Sequence, residues 1–247
     1  MCAKALTLAH QMTDLVRLAS FDIGKKNFAF YIEEFDRKKL MKLVPPPETQ
    51  RYHADGSPTP KMAKFLAKVS RLGKTVLHRN LDLTAGCDKK LALDPTTFHN
   101  MNDALNRYIV EWDRCSAFVV EKQMQFSGRG KNNPMAQKLG QHCYSYFTFR
   151  YGRERPVVEF SAQHKTRILG AQKTAVGVYK NGKTKWKGLT KPQRKKWCVG
   201  KATEILRARG EESILEGLTT ASKRDDLADV VCQLQAFKIL AYIYRTL

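Results

Sequence analysis

Leu18-Ala19-Ser20-Phe21-Asp22-Ile23-Gly24-Lys25-Lys26-Asn27-Phe28-Ala29-Phe30-Tyr31-Ile32 is the stretch from which the rest of the chain is read. Two apolar, β-prone runs flank Gly24-Lys25-Lys26-Asn27, which predicts a hairpin, and one acid, Asp22, closes the first run. A carboxylate in a strand buried on both faces costs several kcal/mol unless it meets a cation, hydrogen bonds or a metal. A strand-end Asp capping the turn is the competing reading, and Asp22 alone does not decide between them.

Working outward, Phe28 to Glu34 forms the second strand and Phe35-Asp36-Arg37-Lys38-Lys39 the next turn. Pro45-Pro46-Pro47 and Asp55-Gly56-Ser57-Pro58-Thr59-Pro60 bracket a polar loop, the core of an insertion spanning about 45–73. Its far end carries Met62, Phe65, Leu66, Val69 and Leu72 at helical spacing, so a short helix is expected there. After Gly73, Val76, Leu77, Leu81 and Leu83 predict a third strand that completes an antiparallel meander.

Asp94-Pro95-Thr96-Thr97 opens a helix whose apolar stripe is Met101, Leu105, Tyr108, Ile109 and Trp112. Ser116-Ala117-Phe118-Val119-Val120-Glu121 follows, a continuous apolar run that reads as a buried parallel strand. Functional groups in such sheets gather beyond the carboxyl ends of strands, where Glu121 sits. Its alternative is an ordinary strand-end Glu paired with Lys122 or another base.

The Gly-rich loop from Gln123 to Pro134 offers Arg129 and Lys131 to a phosphate backbone and Phe126 to stack on a base, although a loop of this kind can equally be merely flexible and a Phe core-filling. A helix from Pro134 through Leu139, Cys143, Tyr146 and Phe147, then a strand Val157 to Phe160, continue the α/β alternation. From Lys165 to Lys201 the chain is dense in Lys and Arg interleaved with Tyr179, Trp186 and Trp197, which points to a nucleic-acid contact. Gly170 to Thr190 reads as a mobile insertion, and Pro192 onward as a helix. In Lys223-Arg224-Asp225-Asp226-Leu227-Ala228-Asp229, the start of a C-terminal helix, Asp226 and Asp229 stand at i and i+3 on one face. Such a pair suggests a divalent cation, or else a helix start favoured by the macrodipole.

Composition narrows the partner. Of 247 residues 44 are Lys or Arg and 23 Asp or Glu, a net charge of +21 that attracts a polyanion, nucleic acid by default. A membrane-surface role is disfavoured, because no amphipathic anchor, lipidation signal or apolar run of transmembrane length is read in the chain. Six cysteines without a CxxC pair argue against a zinc ribbon, and no secretory signal is read at the start. The expectation is a reducing, intracellular setting with core-filling thiols; nucleus, cytoplasmic viral replication site and mitochondrion stay open.

Phe-Asp-Ile-Gly-Lys-Lys-Asn at 21–27, Val-Val-Glu-Lys-Gln at 119–123 and Lys-Arg-Asp-Asp-Leu-Ala-Asp at 223–229 together resemble the three acidic motifs of the RuvC-like Holliday-junction resolvases, the poxvirus and fungal mitochondrial type above all. The resemblance runs in order from Ala19 to about Phe237. It implies an α/β, RNase H-like fold with a mixed sheet, an antiparallel three-strand meander plus parallel strands flanked by helices. It implies too that Asp22, Glu121, Asp226 and Asp229 bind two Mg²⁺ ions. Asp225 leaves the ligand among neighbouring aspartates open, with Asp226 preferred for its i+3 partner. The family's phosphate-side lysine falls in stretches that hold Lys165 and the Lys195-Lys196 pair here. A homodimer is implied as well, since a four-way junction takes two symmetric nicks.

Four oxygen ligands without His or Cys suit Mg²⁺ or Mn²⁺ better than zinc. Two such ions about 4 Å apart would hydrolyse a phosphodiester to 5′-phosphate and 3′-hydroxyl ends. The expected protein is therefore a tail over 1–17 and one nuclease domain over 18–247, with insertions at about 45–73 and 170–189, acting on branched DNA. Another RNase H-like nuclease, such as an RNA:DNA hybrid cutter or a transposase-like enzyme, and a non-catalytic DNA-binding module are the alternatives.

Overall fold

In the computed structural model, which describes residues 14–123 and 133–247, the Gly24–Asn27 turn joins strand β1 (Leu15–Asp22) to β2 (Phe28–Asp36) in an antiparallel pair. β1 starts three residues before the expected domain boundary, its first residue pairing with Asp36. β3 (Gly73–Leu81) adds to β2 antiparallel and completes the meander, with a bulge at Ile32/Glu33. β4 (Ala117–Glu121) lies parallel to β1 on its other side, and β5 (Val157–Phe160) parallel to β4. The order β3-β2-β1-β4-β5, three antiparallel and two parallel, is the RNase H-like sheet that the motifs imply.

Side chains alternate across this sheet with period two, and each face has its own core. Phe21, Phe28, Phe30, Phe118 and Val120 pack under α3 (Thr96–Arg107), α4 (Ile109–Trp112) and α5 (Pro134–Tyr151). Val16, Leu18, Tyr31, Ala117, Val119 and Phe160 face α6 (Ala162–Leu169), α7 (Lys191–Ala208), α8 (Glu212–Thr220) and α9 (Arg224–Lys238). By parity Asp22 and Glu121 belong to this second face. The register that sets Phe21 beside Val120 brings the two acids side by side one residue later.

The expected apolar stripe of the C-terminal helix is too modest a description. Every residue from Val230 to Leu240 is buried, Gln233, Gln235 and Lys238 among them, because α9 lies between the sheet and the outer helices. Together with its π-helical extension Ile239–Tyr244, it is long and apolar enough to cross a membrane, which corrects the expectation that no run has that length. Within the fold, 78% of that window is already buried. At the end of α9, the buried Lys238 ion-pairs with the fully buried Glu33 of β2, which Arg209 contacts from the other side at 3.0 Å. Burial alone would raise the Glu33 carboxyl, but the two cations hold it below its ordinary value. Gly73 is required beside this cluster: a Cβ there would lie 2.1 Å from Glu33 Oε1.

Other expectations are adjusted. The 35–39 turn is a short helix, α1 (Arg37–Met41), capped by Asp36, whose side chain accepts from Lys39 N. The helix read through Trp112 breaks at Tyr108, which leaves the helical region at φ −108° and lets α4 turn Trp112 into the core. α2 (Pro60–Arg71) buries Met62, Phe65, Leu66 and Val69 on the main core, so the far end of the 45–73 insertion is part of the body. The 170–190 stretch holds an antiparallel hairpin, β6 (Thr174–Val178) and β7 (Thr184–Lys187).

Candidate active site

Three elements end at one place. β1 delivers Asp22, β4 delivers Glu121, and α9 presents Asp229 from its second turn, so that one carboxylate oxygen of each lies within 4.8 Å of the others. Asp22 is driven toward its neutral form by burial first and by the negative charge of Glu121 next, with Asp229 and Asp226 adding to it. Asp226 is half-buried one turn earlier on α9 and outside that group of three; burial and then Asp225 raise its carboxyl. Asp225 turns away to an ion pair with Lys195 of α7. Burial opposes ionisation of Asp225, but the Lys195 hydrogen bond keeps it below the usual value.

Lys165, on α6, enters the same space. Its ammonium donates to Glu121 Oε2 at 2.7 Å and lies 3.5 Å from Asp229 Oδ2, with 2% of the side chain exposed. Burial alone would discharge it, yet Glu121, Asp229 and Asp22 together hold it protonated above the ordinary lysine range. One cation among three carboxylates leaves the cluster short of positive charge.

The arrangement fits a divalent cation. Asp229 Oδ1 is buried without a hydrogen-bond partner, the available ligand atoms are all hard oxygens, and the like charges are crowded where a further cation would relieve them.

Gln233, one turn beyond Asp229, holds the three elements in place. Its amide Nε2 lies 3.0 Å from Ser20 Oγ, 3.1 Å from the Phe21 carbonyl and 3.2 Å from the Val119 carbonyl, fully buried. One side chain thus ties α9 to β1 and β4 immediately before Asp22 and Glu121. Sequence reasoning passed over it; the available signal was a polar residue at i+4 from Asp229 inside an otherwise apolar run.

Of the other sites expected from sequence, Phe126, Arg129 and Lys131 lie outside the described residues. Lys165 is in the carboxylate cluster, Lys195 is held by Asp225, and Lys196 is exposed on α7. The structure therefore separates the lysines that sequence left side by side.

No family model matches the chain. It is 31% identical over 236 residues to "Uncharacterized protein 170L" of Invertebrate iridescent virus 6, covering 93% of this chain and 91% of that protein. It is 32% identical over 232 residues to "Uncharacterized protein 97L" of Invertebrate iridescent virus 3, covering 90% and 98%. Among solved structures it is similar to the Fowlpox virus resolvase in complex with substrate Holliday junction DNA (16% identity, TM-score 0.43, 90% of this chain and 97% of that one). It is similar also to Thermus thermophilus RuvC (12%, 0.46, 92% and 95%) and to the yeast mitochondrial Holliday junction resolvase Ydc2 (12%, 0.46, 95% and 82%). At those scores the fold rests on the strand order, and the site on its own geometry.

Proposed function

The chain belongs to the same family as the iridovirus proteins 170L and 97L, and we propose that it is a divalent-metal-dependent endonuclease that resolves four-way DNA junctions. The observation that carries this reading is the convergence of Asp22, Glu121 and Asp229 around buried Lys165 at the ends of β1, β4 and α9. The acidic motifs that resemble those of the RuvC-like resolvases supply these carboxylates, and the net charge of +21 suits a nucleic-acid substrate.

Two Mg²⁺ ions, held by Asp22, Glu121, Asp229 and Asp226, would supply activation of the attacking water and neutralisation of charge on the phosphodiester, with Mn²⁺ as a substitute. The chain's own groups do the remaining work. Lys165 keeps its proton, fixes Glu121 through a charge-assisted hydrogen bond and offsets the repulsion among the acids. Lys195 holds Asp225 aside, while the charge of Asp226 is felt by Asp22. Gln233 keeps the strand ends and α9 at a fixed separation. Products would carry 5′-phosphate and 3′-hydroxyl ends, and a homodimer would place one site on each of two strands for paired nicks. The five described cysteines are free, four of them buried, in keeping with work in a reducing compartment.

The test is cleavage of a mobile four-way DNA junction, a linear duplex and an RNA:DNA hybrid with MgCl₂ and with EDTA. Metal-dependent paired nicks in the junction alone are expected. Preferential cutting of the hybrid would make the protein a different RNase H-like nuclease, and no cutting of any substrate would leave a DNA-binding module.

A further inference from the structure

Between Glu159 and Glu204 the chain has no acidic residue and twelve Lys and Arg. The centre of that segment is the β6–β7 hairpin, whose Lys180, Lys183, Lys185 and Lys187 are all exposed. Among the described residues none of these four pairs with a carboxylate. Val176, Val178 and Tyr179 on the same hairpin are 49%, 68% and 54% exposed, with Lys185 over the Tyr179 ring. A ribbon with so much apolar surface and unpaired positive charge suits a partner that is anionic outside and apolar within.

The hairpin does not hang free at its base. Gln172 Nε2 donates to Asp55 Oδ2 at 2.9 Å and Lys173 N to the Asp55 carbonyl at 2.7 Å, while Tyr52 OH donates to the Ile168 carbonyl at 2.5 Å. Gly170 is needed at this seam: it adopts φ +79°, and a Cβ there would lie 2.7 Å from Pro58 Cδ. The loop over 52–58 and the hairpin stem, both insertions by sequence, therefore form one unit. That unit sits directly after α6, the helix that carries Lys165. Arg167 and Lys173 line a cavity of about 450 Å³ between the unit and α6, so positive surface continues from hairpin to helix.

We infer that the β6–β7 ribbon is an arm that enters a groove of duplex DNA beside the cleavage site, its lysines on the flanking phosphates and Val176, Val178 and Tyr179 against the groove wall. The major groove of B-DNA admits a two-stranded ribbon, and thymine methyl groups there accept apolar contacts. This rests on the nuclease reading above but adds a contact that the carboxylate site does not require.

The test compares the parent with the quadruple variant Lys180→Gln, Lys183→Gln, Lys185→Gln, Lys187→Gln, using four-way junctions with arms of about two helical turns and of about half a turn. For long arms the variant is expected to bind tenfold or more weakly, with a slope of log K against log salt shallower by about 2 to 4. Its thermal midpoint and calorimetric Mn²⁺ affinity are expected to match the parent's. Shortening the arms should weaken the parent and hardly affect the variant. Equal binding by parent and variant overturns the arm while parental cleavage keeps the nuclease reading. Loss of self-association in the variant with unchanged DNA affinity would assign the ribbon to a second copy of this chain and overturn the arm likewise. A parent that binds no DNA overturns both.

Discussion

Lys165 Nζ lies 2.7 Å from Glu121 Oε2 and 3.5 Å from Asp229 Oδ2, a buried ammonium shared by acids from a strand and a helix. Without substrate or metal it is the one lysine or arginine within 4.0 Å of those two carboxylates among the described residues. Lys165→Met is therefore expected to lower stability by about 3–5 kcal/mol in EDTA, because it leaves buried acids uncompensated. MgCl₂ should restore part of the loss. Urea unfolding under both conditions measures this, and a variant as stable as the parent in EDTA would refute the role given to Lys165.

Asp22→Asn should separate catalysis from binding. It removes a carboxylate from the cluster without adding repulsion toward phosphates, so junction cleavage should be lost and junction affinity kept. The metal-free variant should also be more stable than the parent at neutral pH, since burial and Glu121 disfavour the charged form of Asp22. The sign follows from linkage: a carboxyl raised by folding lowers stability as pH climbs above its unfolded value. Nuclease activity at the parental rate in purified Asp22→Asn protein would remove Asp22 from the site.

Gln233→Leu tests whether the amide sets the site or only fills space. Loss of its three contacts is expected to cost about 1–3 kcal/mol of stability. If it positions the carboxylates, Mn²⁺ affinity measured by calorimetry should also weaken, by about tenfold. Unchanged Mn²⁺ affinity alongside the stability loss would reduce Gln233 to packing.

His78 gives the fold an acid limit. It is buried on β3, its Nε2 lies 2.9 Å from the Leu227 carbonyl at the start of α9, and burial pushes its pKa down to about 4. A histidine lowered by folding contributes stability that is present at neutral pH and lost as pH falls from about 6.5 toward 4. His78→Gln, which can keep the donor, should flatten that part of the stability profile. A parent whose urea midpoint is constant between pH 6.5 and 4.5 would contradict this.

The sequence by itself determined the chain order of the five sheet strands and the strand ends that carry acids. Apolar runs closed by Asp22 and Glu121 read as strands because a core that covers both faces favours apolar side chains throughout, and an acid under that cover, such as Glu33, has to find cations from distant segments. The i,i+3 spacing of Asp226 and Asp229 likewise follows from helical geometry alone. Sequence could not show which neighbouring charges meet, because that depends on helices brought together from distant segments. Lys165 and Lys195 read as parts of one basic run, yet packing of α6 and α7 against α9 sends the first into the carboxylates and the second to Asp225. The same holds for Asp55 and Gln172, 117 residues apart, which join two apparent insertions into one unit. Local periodicity encodes strands and helix faces through nearest-neighbour sterics, whereas charge pairing across the fold is settled only when burial strips away water and each ion must find its partner.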